Sequence, residues 1–103
     1  MAFRVEITDR AQRDLDAIYA RVVREAPYDG PLWFTRFEES ILSLAEFPER
    51  WPLEPKLSTS SRSVRKLLFG RRPHVYRVYF TVLSDTIKVL HVRHGARKEL
   101  KRL

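Results

Sequence analysis

The C-terminal third of the chain contains two neighbouring runs of β-branched and aromatic residues, and these runs constrain the fold most. They cover residues 75–83 and 86–94, and such composition favours β-strands. Ser84 and Asp85 form a polar break between them, which is typical of a strand-turn-strand unit. Gly95 lets the chain turn away afterwards. The pattern predicts a β-hairpin, and arginine and histidine residues crowd its exit.

Side chains alternate between the two faces of a strand, so a hairpin paired symmetrically about Ser84 and Asp85 has predictable faces. The first face would hold the pairs Val82–Ile87, Phe80–Val89, Val78–His91 and Tyr76–Arg93. The second face would hold Arg77, Tyr79, Thr81, Lys88, Leu90, Val92 and His94. We expect helices to cover the first face. The second mixes cations with apolar side chains and would suit a phosphate backbone, a stacked base or an acidic amphipathic peptide.

The N-terminal half predicts a strand followed by two amphipathic helices. Residues 3–7 alternate apolar and charged side chains, and residues 10–25 show helical periodicity after a Thr8 or Asp9 cap. The second helix starts near Pro31 and ends before Pro48. The predicted buried stripes are Ala11, Leu15, Ile18, Tyr19 and Val22 on the first helix, and Phe34, Phe37, Ile41, Leu44 and Ala45 on the second.

Between the helices and the hairpin, residues 48–63 combine three prolines with a run of Ser and Thr. We expect an irregular loop, held to the body by Trp51, Leu53 and Leu57 and mobile over residues 58–63. Trp33 and Trp51 are expected to close the core, although one of them could instead anchor a partner.

Residues 64–69 then predict a third strand. The predicted order is therefore β-α-α-β-β-β. This order describes an α+β fold, in which a helical hairpin packs on a small, mainly antiparallel twisted sheet. A chain of 103 residues suits one compact domain, which we expect to span residues 1–103.

Charge is distributed unevenly along the chain. Residues 56–103 hold 13 Lys and Arg against 2 Asp and Glu, a net charge of +11, whereas residues 1–55 hold 7 against 11, a net charge of −4. Clustered cations repel one another, so a basic half favours a polyanionic partner such as nucleic acid or an acidic protein segment. Solubility alone is the alternative explanation.

Several kinds of site are not expected. The chain has no cysteine, which removes disulfides and thiolate metal ligands. His91 and His94 would point to opposite faces of a strand, so we predict no metal site, and no cofactor is implied. The pairs Asp14 with Asp16 and Glu38 with Glu39 do not share a helix face, and we expect these carboxylates to be solvated. The N-terminal residues contain no long apolar stretch, so we expect a cytoplasmic protein without a membrane span.

Five segments together resemble the RelE/ParE toxins of type II toxin-antitoxin modules across almost the entire chain. They are the strand over residues 3–7, Ala11-x-x-Asp14-Leu15-x-x-Ile18-Tyr19, Phe47-Pro48-x-Arg50, Tyr76-Arg77-Val78-x-Phe80 and Val92-Arg93-His94-Gly95-Ala96-Arg97. The Asp-Leu-x-x-Ile and Val-Arg-His-Gly-x-Arg patterns look more like the ParE branch, whose known members poison DNA gyrase. Members of the RelE branch instead cleave mRNA on the ribosome.

The ParE-like resemblance implies a toxin that inhibits gyrase without being an enzyme. The expected target-binding residues are Arg93, Arg97, Lys98 and Lys101. The resemblance also implies a cognate ParD/RelB-like antitoxin, whose acidic segment would fold as it binds the basic sheet. The expected antitoxin-binding residues are Arg65, Arg77, Tyr79 and Lys88.

The RelE-like alternative is a metal-independent mRNA endoribonuclease. Its candidate catalytic residues would be Arg65, Arg77, His94 and Arg97, because RNA cleavage needs a base, an acid and cations beside the phosphate. The sequence departs from that pattern, since residues 97–103 contain no tyrosine and residues 64–68 lack a lysine pair. Accordingly, no catalytic residue is favoured. A nontoxic binding module with the same fold is a third interpretation.

Overall fold

The protein is described by a computed structural model, which covers residues 2–95. Its elements are strand β1 (Arg4–Ile7), helix α1 (Asp9–Glu25), helix α2 (Gly30–Leu42), 3₁₀ turns at Ser43–Ala45 and Pro48–Arg50, and strands β2 (Val64–Arg71), β3 (His74–Leu83) and β4 (Thr86–His94). The predicted order of one strand, two helices and three strands is confirmed.

The four strands form one mixed sheet in the order β1-β4-β3-β2. Strands β2, β3 and β4 are antiparallel neighbours, whereas β1 pairs with β4 in parallel. The N-terminal strand therefore lies beside the last strand of the sheet, and α1 leaves from that same edge. Both helices pack on one face of the sheet, as the predicted α+β architecture requires.

Thr8 fixes the junction between β1 and α1. Its side-chain oxygen accepts a hydrogen bond from the amide of Ala11 at 3.2 Å, which caps the helix. The same hydroxyl donates to the carbonyl oxygen of Val89 at 2.8 Å, so the cap also holds α1 against β4. Tyr19, predicted in the buried stripe of α1, is instead 44% exposed, although its ring meets Phe34 edge-on.

An aromatic cluster fills the space between α2 and the sheet. Phe37 is fully buried and stacks on Phe69, and the ring of Trp33 contacts Phe37, Phe69 and Tyr76. Trp51 also packs against this core. The core interpretation of both tryptophans is therefore confirmed, and these rings bury much of the apolar surface that stabilises the fold.

The proline-rich segment is more regular than predicted. Pro48–Arg50 forms a 3₁₀ turn, and Leu53 forms an isolated bridge with Arg65. The amide of Glu54 donates to the carbonyl of Val64 at 2.7 Å. The segment therefore lies along the outer edge of the sheet, beside the first half of β2. Leu57 is buried as expected, but Leu53 is exposed. The predicted mobility of residues 58–63 stays a prediction.

The predicted pairing of the hairpin is correct near the turn and wrong farther away. Val82 pairs with Ile87 and Phe80 with Val89, but Val78 pairs with Val92 and Tyr76 with His94. The cause is a β-bulge, because β4 carries one extra residue, Leu90, opposite the junction between Tyr79 and Phe80. The shift moves Val92 and His94, predicted on the face away from the helices, to the helix-covered side of the sheet.

The cap at Thr8 yields a test of this architecture. We expect Thr8→Ala to lower the free energy of unfolding by about 1–2 kcal/mol, because both the helix cap and the bond to Val89 are lost. The measurement is urea denaturation followed by circular dichroism. Thr35→Ala is the control, since that exposed hydroxyl only returns to the Pro31 carbonyl of its own helix. Equal losses in the two variants would contradict the role assigned to Thr8.

Candidate functional site

The sheet face away from the helices is partly covered, contrary to the expectation of an open floor. Tyr79 is only 1% exposed and packs with Leu57, Val64 and Leu90 in a second small core. Leu57 comes from the proline-rich segment, which therefore shields the centre of this face. The predicted accessibility of Tyr79 is wrong for this physical reason.

Arg77 lies on the same face as Tyr79 but is only 6% exposed. Its Nη2 atom donates to the main-chain oxygen of His94 at 3.3 Å. In the β3–β4 register Arg77 stands opposite Arg93. A guanidinium stays charged at any physiological pH, so this bond ties a buried cation to the end of β4.

Arg65 is engaged by the proline-rich segment. Its Nη1 atom donates to the carbonyl oxygens of Glu49 at 3.0 Å and Trp51 at 2.6 Å. Arg65 stands opposite Phe80 in the register, whereas Arg77 lies between Tyr76 and Val78. Because side chains alternate along β3, Arg65 and Arg77 belong to opposite faces of the sheet.

Lys88, another of the predicted antitoxin-binding residues, has a substantially exposed side chain. Its Nζ atom lies 3.7 Å from a carboxylate oxygen of Glu6 on the neighbouring strand β1. Both side chains are substantially exposed, so solvent screens the pair and it contributes little to stability. The Lys88 ammonium group can exchange this partner for another carboxylate at small cost.

His94 meets a second histidine above the aromatic core. Its ring lies edge-on to Tyr76, with 4.9 Å between centroids, and Nε2 of His94 is 3.4 Å from Nδ1 of His74. An apolar cavity of about 570 Å³ opens beside these rings. Its lining includes Val22, Ala26 and Trp33 from the helices.

A second groove, of about 390 Å³, lies between α1 and the part of β4 that follows the bulge. Four arginines line it, namely Arg10, Arg21, Arg24 and Arg93. We call these four residues the arginine groove. Arg21 donates to the Tyr76 hydroxyl, and the Nε atom of Arg93 is buried without a hydrogen-bond partner among the described residues. The groove thus concentrates positive charge beside the end of β4.

Asp14 lies at the base of this groove and contacts β4. The prediction that this carboxylate is solvated is therefore wrong. Its Oδ2 atom accepts a hydrogen bond from the amide of Val92 at 3.0 Å and lies 2.9 Å from Nδ1 of His91. Its Oδ1 atom is 3.4 Å from Nε of Arg10. One carboxylate therefore joins α1 to the portion of β4 that follows the bulge.

The protonation of His91 follows from its contacts. Nη2 of Arg10 lies 2.7 Å from Nε2 of His91, and an arginine can only donate. Nε2 must therefore accept, which leaves a neutral ring with its proton on Nδ1, beside Asp14. The alignment with Asp14 is poor, so this last contact is electrostatic. Burial is the main cause that lowers the pKa of His91; Asp14 opposes the shift, and Arg10 and Arg93 reinforce it.

The other predicted site residues are placed as follows. Arg97, Lys98 and Lys101 lie outside the described residues 2–95. Within that range, no three acidic or histidine side chains are grouped as ligands for a metal ion. Neither described helix has the length and apolar character needed to cross a membrane.

A family model for the ParE toxin of the type II toxin-antitoxin system, parDE, matches residues 5–99. The chain belongs to the ParE toxin family. The family implies an antitoxin partner for this chain. No match was found among the curated proteins.

Two solved structures share the fold of this ParE-family chain. A structure described as the chromosomal ParDE toxin-antitoxin system from P. aeruginosa has a TM-score of 0.70 and 23% identity, over 90% of this chain and 96% of that one. A mutant of the E. coli toxin RelE in the free state has a TM-score of 0.60 and 15% identity, over 93% of this chain and 86% of that one. The RelE/ParE-like fold expected from the sequence is confirmed.

Sequence reasoning missed the Asp14–His91–Arg10 contact in this ParE-family chain. The signal was present, because Asp14 lies three residues after the buried Ala11 and four after Arg10, on the side of α1 that faces the sheet. Its partner could not be found, because the bulge at Leu90 decides which part of β4 meets α1.

The lowered pKa of His91 predicts how stability depends on pH. The unfolded chain binds a proton near the ordinary value of 6.5, whereas the folded chain resists it. Stability is therefore complete above about pH 6.5 and declines as the pH falls toward the folded pKa, by at most about 1.4 kcal/mol per pH unit. Urea denaturation at several pH values between about 7.5 and 5.5 measures the slope.

One variant assigns that slope to its source. His91→Gln should flatten it, because glutamine does not titrate. An unchanged slope in His91→Gln would show that another group causes the pH dependence.

Proposed function

We propose that this ParE-family chain inhibits DNA gyrase by stoichiometric binding, and that a cognate antitoxin neutralises it. The supporting observation is that the candidate residues for RNA cleavage that the structure describes are bonded or buried at separate places in the fold. Arg65 is bonded to the carbonyls of Glu49 and Trp51, Arg77 is buried on the opposite sheet face, and His94 lies over Tyr76 on the helix side.

Cleavage of RNA would need these groups to converge on one phosphate. A base must reach the ribose hydroxyl while cations contact the phosphoryl oxygens, all within hydrogen-bond distance. The side chains of Arg77 and His94 belong to opposite faces of the sheet, which disfavours their joint action on one phosphate. A surface that binds a macromolecule has no such requirement, since its cations can act over a wide area.

The arginine groove supplies the surface for the target in this proposal. Arg93 belongs both to the groove and to the predicted target-binding set, and Arg97, Lys98 and Lys101 follow it closely in sequence. Together these cations would contact the acidic surface or the DNA of a gyrase complex, where neutralised phosphates give a binding free energy that depends on salt. The site of action would then be the cytoplasm, where gyrase acts on the chromosome.

The antitoxin would present acidic side chains to the basic half of the chain. Among Arg65, Arg77, Tyr79 and Lys88, Lys88 offers the exposed cation, and its present partner Glu6 holds it weakly. Contact with Tyr79 would require a partner that displaces Leu57. A segment that folds on binding could do so, because burial of its own apolar groups would offset the loss.

Two assays with the purified protein test the target. In a gyrase supercoiling and DNA-cleavage assay we expect inhibited supercoiling and trapped cleaved DNA. In a programmed-ribosome assay we expect no mRNA cleavage. Cuts at the ribosomal A site without any effect on gyrase would overturn the proposal, and Arg77→Ala with Arg97→Ala should then abolish cleavage while antitoxin binding persists. Inactivity in both assays would indicate a nontoxic binding module.

A charge-matched pair of variants tests the contact surface. Replacing Arg93, Arg97, Lys98 and Lys101 by alanine should weaken gyrase inhibition at least about tenfold, because each lost cation removes part of the electrostatic attraction. The control replaces four exposed cations that lie outside β4 and the neighbouring β2–β3 turn, namely Arg13, Arg36, Arg50 and Lys56, and so removes the same net charge. Equal losses in both variants would show that total charge, and not this surface, governs inhibition.

A further inference from the structure

The ends of β3 and β4 bring together two of the three histidines of the chain. His74 is the first residue of β3 and His94 the last residue of β4. Nδ1 of His74 and Nε2 of His94 are 3.4 Å apart, and the two rings are inclined at 70°. The two nitrogens are therefore close enough to share one proton in a hydrogen bond.

We propose that His74 and His94 together bind one divalent transition-metal ion, with Zn²⁺, Ni²⁺ and Cu²⁺ as the matching class. Imidazole nitrogens are preferred ligands of these ions. Two nitrogens that each lie 2.0–2.1 Å from a tetrahedral zinc ion are separated by about 3.3–3.4 Å. The observed separation matches this distance, so an ion can replace the proton shared by the two rings after small rotations of the two side chains.

The backbone around the pair is already fixed. The amide of Gly95 donates to the carbonyl oxygen of Val75 at 2.6 Å, directly beside both histidines. A side chain at position 95 would bring its Cβ to 2.8 Å from that oxygen, so glycine permits this close approach. The ring of Tyr76 packs edge-on against the ring of His94. The backbone therefore loses little conformational entropy when an ion binds.

The surroundings define the rest of the coordination sphere. His74 is exposed, so water can reach the ion and complete its sphere. Glu25 and Asp29 line the neighbouring cavity together with Arg21, so charges of both signs lie near the ion. Two protein ligands give weaker binding than the four-ligand sites of structural zinc. In the bound state His74 carries its proton on Nε2 and His94 on Nδ1, since a ligating nitrogen must be unprotonated.

Such an ion would join the ends of β3 and β4 immediately before the cations proposed to contact the target. The inference does not depend on gyrase as target, because it concerns metal binding by the free chain.

Calorimetric titration of the chain tests the site. The protein must carry no polyhistidine tag and must first be stripped with a chelator. We expect ZnCl₂ and NiCl₂ each to bind at one ion per chain and to raise the thermal midpoint, because the ion binds the folded state preferentially. His74→Gln and His94→Gln should each weaken binding by about tenfold or more.

The third histidine provides the matched control. His91→Gln should bind zinc as the unmodified chain does, because His91 is turned toward Asp14 and Arg10. Circular dichroism checks that each variant is folded. If His94→Gln unfolds, the comparison of His74→Gln with the unmodified chain still tests the site. Absence of saturable binding by the unmodified chain, or unchanged affinity in His74→Gln, would overturn the proposal.

Discussion

The bulge at Leu90 decides how the two halves of this protein meet. One extra residue in β4 changes the face on which every later side chain of that strand lies. Val92 consequently joins the core, and its amide turns to the carboxylate of Asp14 on α1. His94 is carried over Tyr76 by the same shift. Without the bulge, α1 would face a different set of groups on the last strand.

The arginines of the chain fall into two groups with different physical roles. Arg65 and Arg77 donate to main-chain carbonyls and thereby hold the proline-rich segment and the end of β4 in place. The four residues of the arginine groove line an accessible surface, where solvent, Asp14 or an anionic partner can relieve their mutual repulsion. Some arginines of the chain therefore stabilise the fold, whereas others present positive charge at the surface.

The sequence predicts the elements well because their signals are local. The Thr8 cap, the break at Ser84 and Asp85, and the buried positions of α1 other than Tyr19 each depend on a few neighbouring residues and are found as expected. The pairing beyond Phe80 could not be predicted. The inserted residue follows Val89 in a run of mostly apolar residues, and nothing in the sequence pattern marks the insertion. Strand alternation alone cannot reveal such a shift.

The candidate site was harder to predict because it depends on contacts distant in sequence. Tyr79 was expected to be accessible, and only the path of residues 51–57 explains why Leu57 covers it. Asp14 looked like an ordinary surface carboxylate until β4 was placed beside it. The charge asymmetry was readable from composition, whereas its division between bonded and accessible arginines required the three-dimensional arrangement.

The parallel pairing of β1 with β4 has a consequence for how the protein is made. Arg4 and Thr86 are register partners although 82 residues separate them. Loop closure over such a span is slow, and it cannot occur on the ribosome before β4 has emerged from the exit tunnel. The helical hairpin can form early, but the sheet is completed only after β4 has emerged. A nascent chain of this family member therefore lacks its finished surface until the fourth strand pairs with the first.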